Sequence, residues 1–426
     1  AFIMAVISKH YWLHPNGSSR IFVHPDEEAH VEAIAYYRDH LLPPPLDAEE
    51  IRSSYSVYGY TRLASFELYY PIAGYVTRLL MPFKQAFTYD ARLFSVFLFA
   101  LLSLYAYRHP AFRPFALPFL ITPQVWYLFS YSNSDGFALC LATISAYQAA
   151  YKGSTLNRVL TEKNFPNLSL HVLWLGFVVG ALFLLKLNFY FYILFLSFYL
   201  IWRVVNGDFS DQKLLWTRLG IVAMIGVALY AARIGVDFAV NGLDSKQKQL
   251  ALVETMAEPL YKPSTPLNKK HIYLYMRDRG FSLGRILTKE QWVGKTFISS
   301  FGAYGFTQYL GSNTYYDTVR IVGIAMLGIL LLSILIYGPP STHWLFAITL
   351  GCAALLVAAS LWQSWTISFQ AQGRYLAPIL PMFGILYFHT RPWLMNRVFN
   401  GLVFAMFALG MYSFIFIGLA LIPKFP

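Results

Sequence analysis

Charge is scarce in this sequence. Asp, Glu, Lys and Arg make up 13% of its 426 residues, about half the share found in a soluble domain. Cysteine is nearly missing too. Cys140 and Cys352 both fall inside apolar runs, which excludes a disulfide framework and a thiolate metal site. His10, His14 and His24 lack metal-ligand spacing and read as surface residues. The first residues, Ala1 to Ser8, carry no basic n-region or cleavage site, so they do not form a signal peptide. They read as the last turns of a first transmembrane helix. No internal repeat and no soluble domain of any size is visible.

What is present is hydrocarbon. Hydrophobic residues reach 57% and aromatics 18%, and the mean hydropathy is +0.47. Apolar runs long enough to cross a hydrocarbon core of roughly 30 Å recur along the chain. Tyr and Trp gather near their ends, as in interfacial belts. The pattern predicts an all-α polytopic membrane protein made of one transmembrane domain, residues 1–426. Beyond the remnant 1–9, spans are expected near 91–108, 114–131, 135–151, 170–185, 188–204, 214–238, 319–337, 343–362, 375–389 and 399–422. The apolar stretch 170–204 would be about 50 Å long as one helix, and Lys186-Leu187-Asn188 divides it into two.

About eleven crossings place the long loops 10–90 and 239–318 on one side. The short loops bearing Arg108, Lys152, Arg203, Arg391 and their neighbours fall on the other. The positive-inside rule makes the short-loop side cytoplasmic and the large loops extracytoplasmic. The net charge of +12 follows from this topology and does not point to nucleic acid. Within the first large loop, Asp26 to Leu41 is compatible with a helix, Pro43-Pro44-Pro45 stops it, and Leu68 to Tyr75 suits a short interfacial helix.

Four polar features then share the outer face. They are Pro25-Asp26-Glu27-Glu28-Ala29-His30, Ser132-Asn133-Ser134-Asp135, Lys186-Leu187-Asn188, and Gln370-Ala371-Gln372-Gly373-Arg374-Tyr375. Arg374 and Lys186 stand where the positive-inside rule disfavours them, and ionisable groups at membrane depth are functional candidates. Carboxylates meeting cations at a membrane surface suit sugar transfer from a polyprenyl phosphate. The phosphate leaving group benefits from fixed positive charge, and the acceptor hydroxyl needs a general base.

Each residue has a plainer reading. Asp26 and Asp135 can cap helices, and Glu27 can serve the helix dipole rather than an acceptor or a metal. Glu28 reads as solvated. His30 either orients Asp26 or sits at the interface, Lys186 can snorkel to headgroups, and Arg374 can pair with a carboxylate. Tyr70 and Tyr375 suit an interfacial belt as well as a ligand site.

The motifs Pro25-Asp26-Glu27-Glu28-Ala29-His30 and Gln372-Gly373-Arg374-Tyr375-Leu376-Ala377-Pro378, with Ser299 to Phe306 between them, give the chain a family look. It resembles the GT-C superfamily of polytopic glycosyltransferases, and within it a bacterial family with PDExxH and QGRYxxP motifs. An expected Trp in the last large loop is missing. The resemblance implies a GT-C-like fold whose two large extracytoplasmic loops carry short interfacial helices. It implies Asp26 as catalytic base, and Asp26 and Glu27 together are the catalytic candidates. The donor and substrate would be bound by Arg374, Lys186, Asp135, His30, Gln372, Tyr375 and Tyr70.

The donor would be an undecaprenyl-type polyprenyl phosphate-sugar, and the acceptor a glycan, lipid or protein of the cell envelope. No cofactor is required, and a divalent metal is left open. The setting would be a bacterial inner membrane, with membrane lipids around the protein and the site on its outer face. The competing readings are a lipid-linked glycan flippase, an oligosaccharide ligase and a non-catalytic envelope scaffold.

Overall fold

The computed structural model describes residues 1–13, 20–80 and 87–424; His14 lies outside them. After a short helix α1 (Phe2–Ile7), a two-stranded antiparallel hairpin pairs β1 (Tyr11–Leu13) with β2 (Arg20–Phe22), Trp12 opposite Ile21. The first long polar segment holds α2 (Glu27–Asp39) and α3 (Tyr69–Leu80), packed on each other. Gly74 makes that packing close, because a Cβ there would lie 2.6 Å from the Tyr37 backbone.

A run of helices follows: α4 (Phe87–Arg108), α5 (Arg113–Ala116), α6 (Pro123–Leu128), α7 (Ser134–Ala150), α8 (Thr155–Thr161), α9 (Leu168–Phe183), α10 (Tyr190–Val205) and α11 (Gln212–Asn241). The second long segment contains α12 (Ser245–Met256), α13 (Leu283–Thr288) and α14 (Trp292–Ser300). The chain then closes with α15 (Asn313–Tyr337), α16 (Pro340–Thr366), α17 (Ile379–Thr390) and α18 (Asn396–Tyr412), the last continued by a wide π-type turn, Ser413–Leu419.

Among the described residues, six helices are long and apolar enough to cross a membrane: Asp90–Arg108, Leu187–Val205, Gln212–Asn241, Asn313–Tyr337, Pro340–Thr366 and Asn396–Leu419. The remaining expected spans take other forms. Helices α9 and α17 are apolar but only about 24 Å and about 18 Å long. Helix α7 is buried along most of its length. The expected span 114–131 is not one helix. It breaks into α5, a 3₁₀ turn at Leu117–Leu120 and α6, with Pro114, Pro118 and Pro123 each in the first turn of a piece. Proline removes the backbone donor and clashes with the preceding turn, so each one restarts the helix.

The division at Lys186 is present, with α9 and α10 as separate helices joined by a 3₁₀ turn, Leu187–Phe189. Helix α9 packs most closely on α11. Gly180 faces Gly226 and Gly176, four residues before it, faces Ile225: a Cβ on Gly180 would stand 2.8 Å from the Gly226 carbonyl, and one on Gly176 2.4 Å from the Ile225 side chain. Small residues at this spacing let helix backbones approach when the surrounding solvent is lipid.

The two long polar segments meet each other. The Glu258 amide donates to the Val57 carbonyl, Asn241 Oδ1 accepts from the Leu46 amide, and Tyr58 packs edge-on against Tyr261. Gly59, at φ +77°, sits against the last turn of α12, where the Val253 carbonyl would lie 2.9 Å from any Cβ.

The α9–α11 seam yields a stability test. Gly180→Leu should lower stability by about 1–3 kcal/mol through overpacking, read as a lower thermal midpoint of the detergent-purified protein. An unchanged midpoint would show the close approach to be unimportant.

Candidate functional site

The site starts from an unusual backbone. Asp26 precedes α2 in the left-handed region, φ +59°, and its carboxylate makes no capping hydrogen bond. Capping therefore does not explain this residue. Asp is among the few side chains that tolerate the left-handed region, and such conformations gather at ligand sites. The carboxylate points to Arg374 instead, whose Nη2 donates to Oδ2 at 2.8 Å, and Arg62 Nη2 lies 3.9 Å from the same oxygen.

Arg374 is carried by a 3₁₀ turn, Gly373–Leu376, seated on the end of α14. Gly373 donates its amide to Ser299 Oγ at 2.7 Å, and a Cβ there would fall 2.5 Å from the Ser300 Cα. Only glycine lets the turn sit this low. The guanidinium lies over the Tyr375 ring, 5.3 Å from its centroid. Asn188 Nδ2 donates to the Tyr375 carbonyl, which ties the α9–α10 break to the same turn.

Asp135 opens α7, but it is not the cap. Asn133 Oδ1 accepts from the amides of Asp135 and Gly136, leaving the fully buried Asp135 carboxylate to face Lys186 Nζ at 2.9 Å. That contact is an ion pair without hydrogen-bond alignment, since both carboxylate oxygens lack a hydrogen-bond partner. Among the described residues, Ser132 Oγ and His30 Nε2 are also buried without partners, while the Tyr131 hydroxyl faces Arg374 and Ser134 faces Tyr70. Native proteins rarely leave buried polar groups unsatisfied, so this concentration marks a place built for a polar guest.

Burial on its own would raise the Asp26 carboxyl, but Arg374, Arg62 and Lys186 outweigh it and hold the group below its ordinary value. Burial and the same three cations keep the His30 ring neutral, well below its ordinary range. Three cations thus lie about Asp26 and Asp135, with Glu67 acting on Arg62 from its other side.

Glu27 differs from its neighbour. It is 2% exposed and its oxygens are engaged internally, by Arg92 Nε at 2.8 Å, Arg92 Nη2 at 2.6 Å and the Ser132 amide at 3.0 Å. Burial would raise this carboxyl, but Arg92 and its hydrogen bonds bring it below the ordinary value. Arg92 also donates to the carbonyls of Ala5, Ser8 and Lys9.

His24 is fully buried, not a surface residue. It bridges Ser8 Oγ and the Tyr127 hydroxyl, which in turn accepts from the Gly305 amide. Burial lowers it to about 3, so it is a neutral linker. His30 bonds the Tyr70 hydroxyl at 3.0 Å rather than orienting Asp26, and Glu28 is exposed.

The structure therefore brings Asp26, Arg374, Lys186, Asp135 and Tyr375 together and sets His30 and Tyr70 against each other beneath them. Gln372 lines a pocket beside Arg374. Arg62, Arg92 and Tyr131 were missed in the sequence, where Asn133 appeared only as part of the Ser132–Asp135 turn. Of the three, Arg92 alone left a signal there, as an arginine at the start of an apolar run. Among the described residues, no group of three or more His, Cys, Asp or Glu side chains is placed to hold a metal. No family model, curated protein or solved structure matches this chain.

The Glu27–Arg92 pair predicts a stability change. Glu27→Gln strands a buried guanidinium and should cost about 3–5 kcal/mol, seen as a large drop in thermal midpoint at pH 7. Because the folded value of Glu27 lies below its ordinary 4.5, its stabilisation is complete above that pH and is lost as pH falls through the lower folded value. The variant should lack this acid-dependent component. An unaltered midpoint would refute the anchoring role.

Proposed function

We propose that the chain is a membrane-embedded glycosyltransferase of the GT-C kind. The reaction is transfer of a sugar from a polyprenyl monophosphate to a hydroxyl of an envelope glycan, lipid-linked glycan or protein, with inversion. The observation that carries this reading is the 2.8 Å contact between Asp26 and Arg374, flanked by Arg62, Lys186 and Asp135. It joins a proton acceptor and a cluster of cations in a chain whose long helices suit a bilayer. The distribution of Lys and Arg over the short loops favours the extracytoplasmic face of a bacterial inner membrane, with about eleven crossings.

In this reading the donor phosphate takes the Arg374 guanidinium, with Lys186 and Arg62 adding positive charge. Asp26 then loses its strongest partner and gains an anionic neighbour, and both changes make it a better base. Its carboxylate accepts the acceptor hydroxyl proton as the acceptor oxygen bonds the anomeric carbon. The bond from that carbon to the phosphate oxygen breaks with its electron pair, and polyprenyl phosphate leaves as the anion. The cations stabilise the charge that grows on the leaving group. Glu27 acts through Arg92 as a positioning residue, holding the segment that carries Asp26.

Two measurements test this. Asp26→Asn should reduce sugar transfer from radiolabelled polyprenyl-phosphate donors by about 10²–10⁴-fold with donor affinity retained; a folded variant that transfers at the wild-type rate refutes the base. Arg374→Ala should chiefly weaken donor binding, and unchanged affinity would remove it from the phosphate site.

A further inference from the structure

Beside Arg374, on α6 and the loop after α14, lies a pocket that the phosphate site does not account for. It holds about 440 Å³ of space, counted out to its open mouth, and Gln124, Tyr131, Phe306, Thr307, Gln372 and Arg374 are among its lining residues. Three of these side chains, Gln124, Tyr131 and Arg374, are more than nine-tenths buried. Gln124 Oε1 has no hydrogen-bond partner among the described residues, and the Tyr131 hydroxyl faces the Arg374 guanidinium. Leaving a buried acceptor such as Gln124 Oε1 empty costs about 1–3 kcal/mol.

The lining is distinctive in kind. Among the described residues it offers two amides, hydroxyls and aromatic rings, with Arg374 as the ionic group. Thr122, which starts α6, donates its hydroxyl to the Ser300 carbonyl, and Tyr127 holds the Gly305 amide, so both walls are fixed. A rigid pocket of rings and neutral hydrogen-bonding groups suits a compact, uncharged, hydroxyl-rich ligand.

Resting on the reading of Arg374 as the phosphate holder, we propose that this pocket is a subsite for a neutral sugar ring. Gln124 and Tyr131 bond its hydroxyls, and Phe306 provides an apolar face. The ring belongs either to the donor's transferred glycosyl group or to the acceptor's terminal residue. Both present the same chemistry, a ring bearing neutral hydroxyls.

The test measures equilibrium binding to the detergent-solubilised full chain. The ligands are bare decaprenyl phosphate and the methyl glycosides of glucose, galactose, mannose and N-acetylglucosamine. At least one glycoside should bind the wild type. Tyr131→Phe and Gln124→Met, which keep side-chain volume, should each weaken it about tenfold, as the loss of one hydrogen bond predicts. Decaprenyl phosphate should bind Gln124→Met as tightly as it binds the wild type.

Binding of no glycoside, or equal binding by both variants and the wild type, overturns the proposal. Where the decaprenyl-phosphate-linked form of the bound sugar also loses affinity in Gln124→Met, the ring is the donor's. Where only the free glycoside does, it is the acceptor's. Failure of decaprenyl phosphate to bind the wild type would instead defeat the donor-phosphate reading, separately from the glycoside result.

Discussion

The buried pair between Glu27 and Arg92 is the constraint from which the site takes its shape. A guanidinium with no exposure cannot stand alone in an apolar interior, and here it gathers what it needs from distant segments. It bonds Glu27, the first residue of α2, and the carbonyls that end α1. Through Glu27 it reaches the Ser132 amide, one residue before the Asn133 cap of α7. Asp26 and Asp135 are thereby placed by a single polar knot, each one residue or a few from a group that Arg92 or Glu27 holds.

Around that knot the division of labour among the acids follows from exposure. Glu27 is sealed in and fully partnered, while the Asp26 side chain is a third exposed and shares its partners with open space. Asp135 is sealed in but left with an unaligned ammonium neighbour. The left-handed backbone at Asp26 turns its carboxylate away from the helix it precedes and toward Arg374. The chain accepts conformational strain there in exchange for presenting the group to the cations.

Much of this was legible in the sequence. Hydropathy made the chain a helical membrane protein, and the misplaced cations Lys186 and Arg374 led to the segments that meet at the site. The helix after Asp26 and the division at Lys186 followed from periodicity and from a polar break. Other features were not legible for physical reasons. Adjacent carboxylates look alike in sequence, so nothing distinguished Glu27, which belongs to Arg92, from Asp26. Arg62 sits in a polar loop where a cation is unremarked, and His24 gave no sign of its burial. The prolines at 114, 118 and 123 were plain to read, yet the apolar run around them outweighed their meaning in a hydropathy window.

The contact between Asp26 and Arg374 spans 348 positions of chain. During synthesis the carboxylate emerges early and its guanidinium only after nearly all the long apolar helices have been made. A nascent chain therefore carries an incomplete centre through most of its insertion. The pairing forms only once the segment that carries Arg374 has reached the front of the chain, and a chain cut short before residue 374 lacks it.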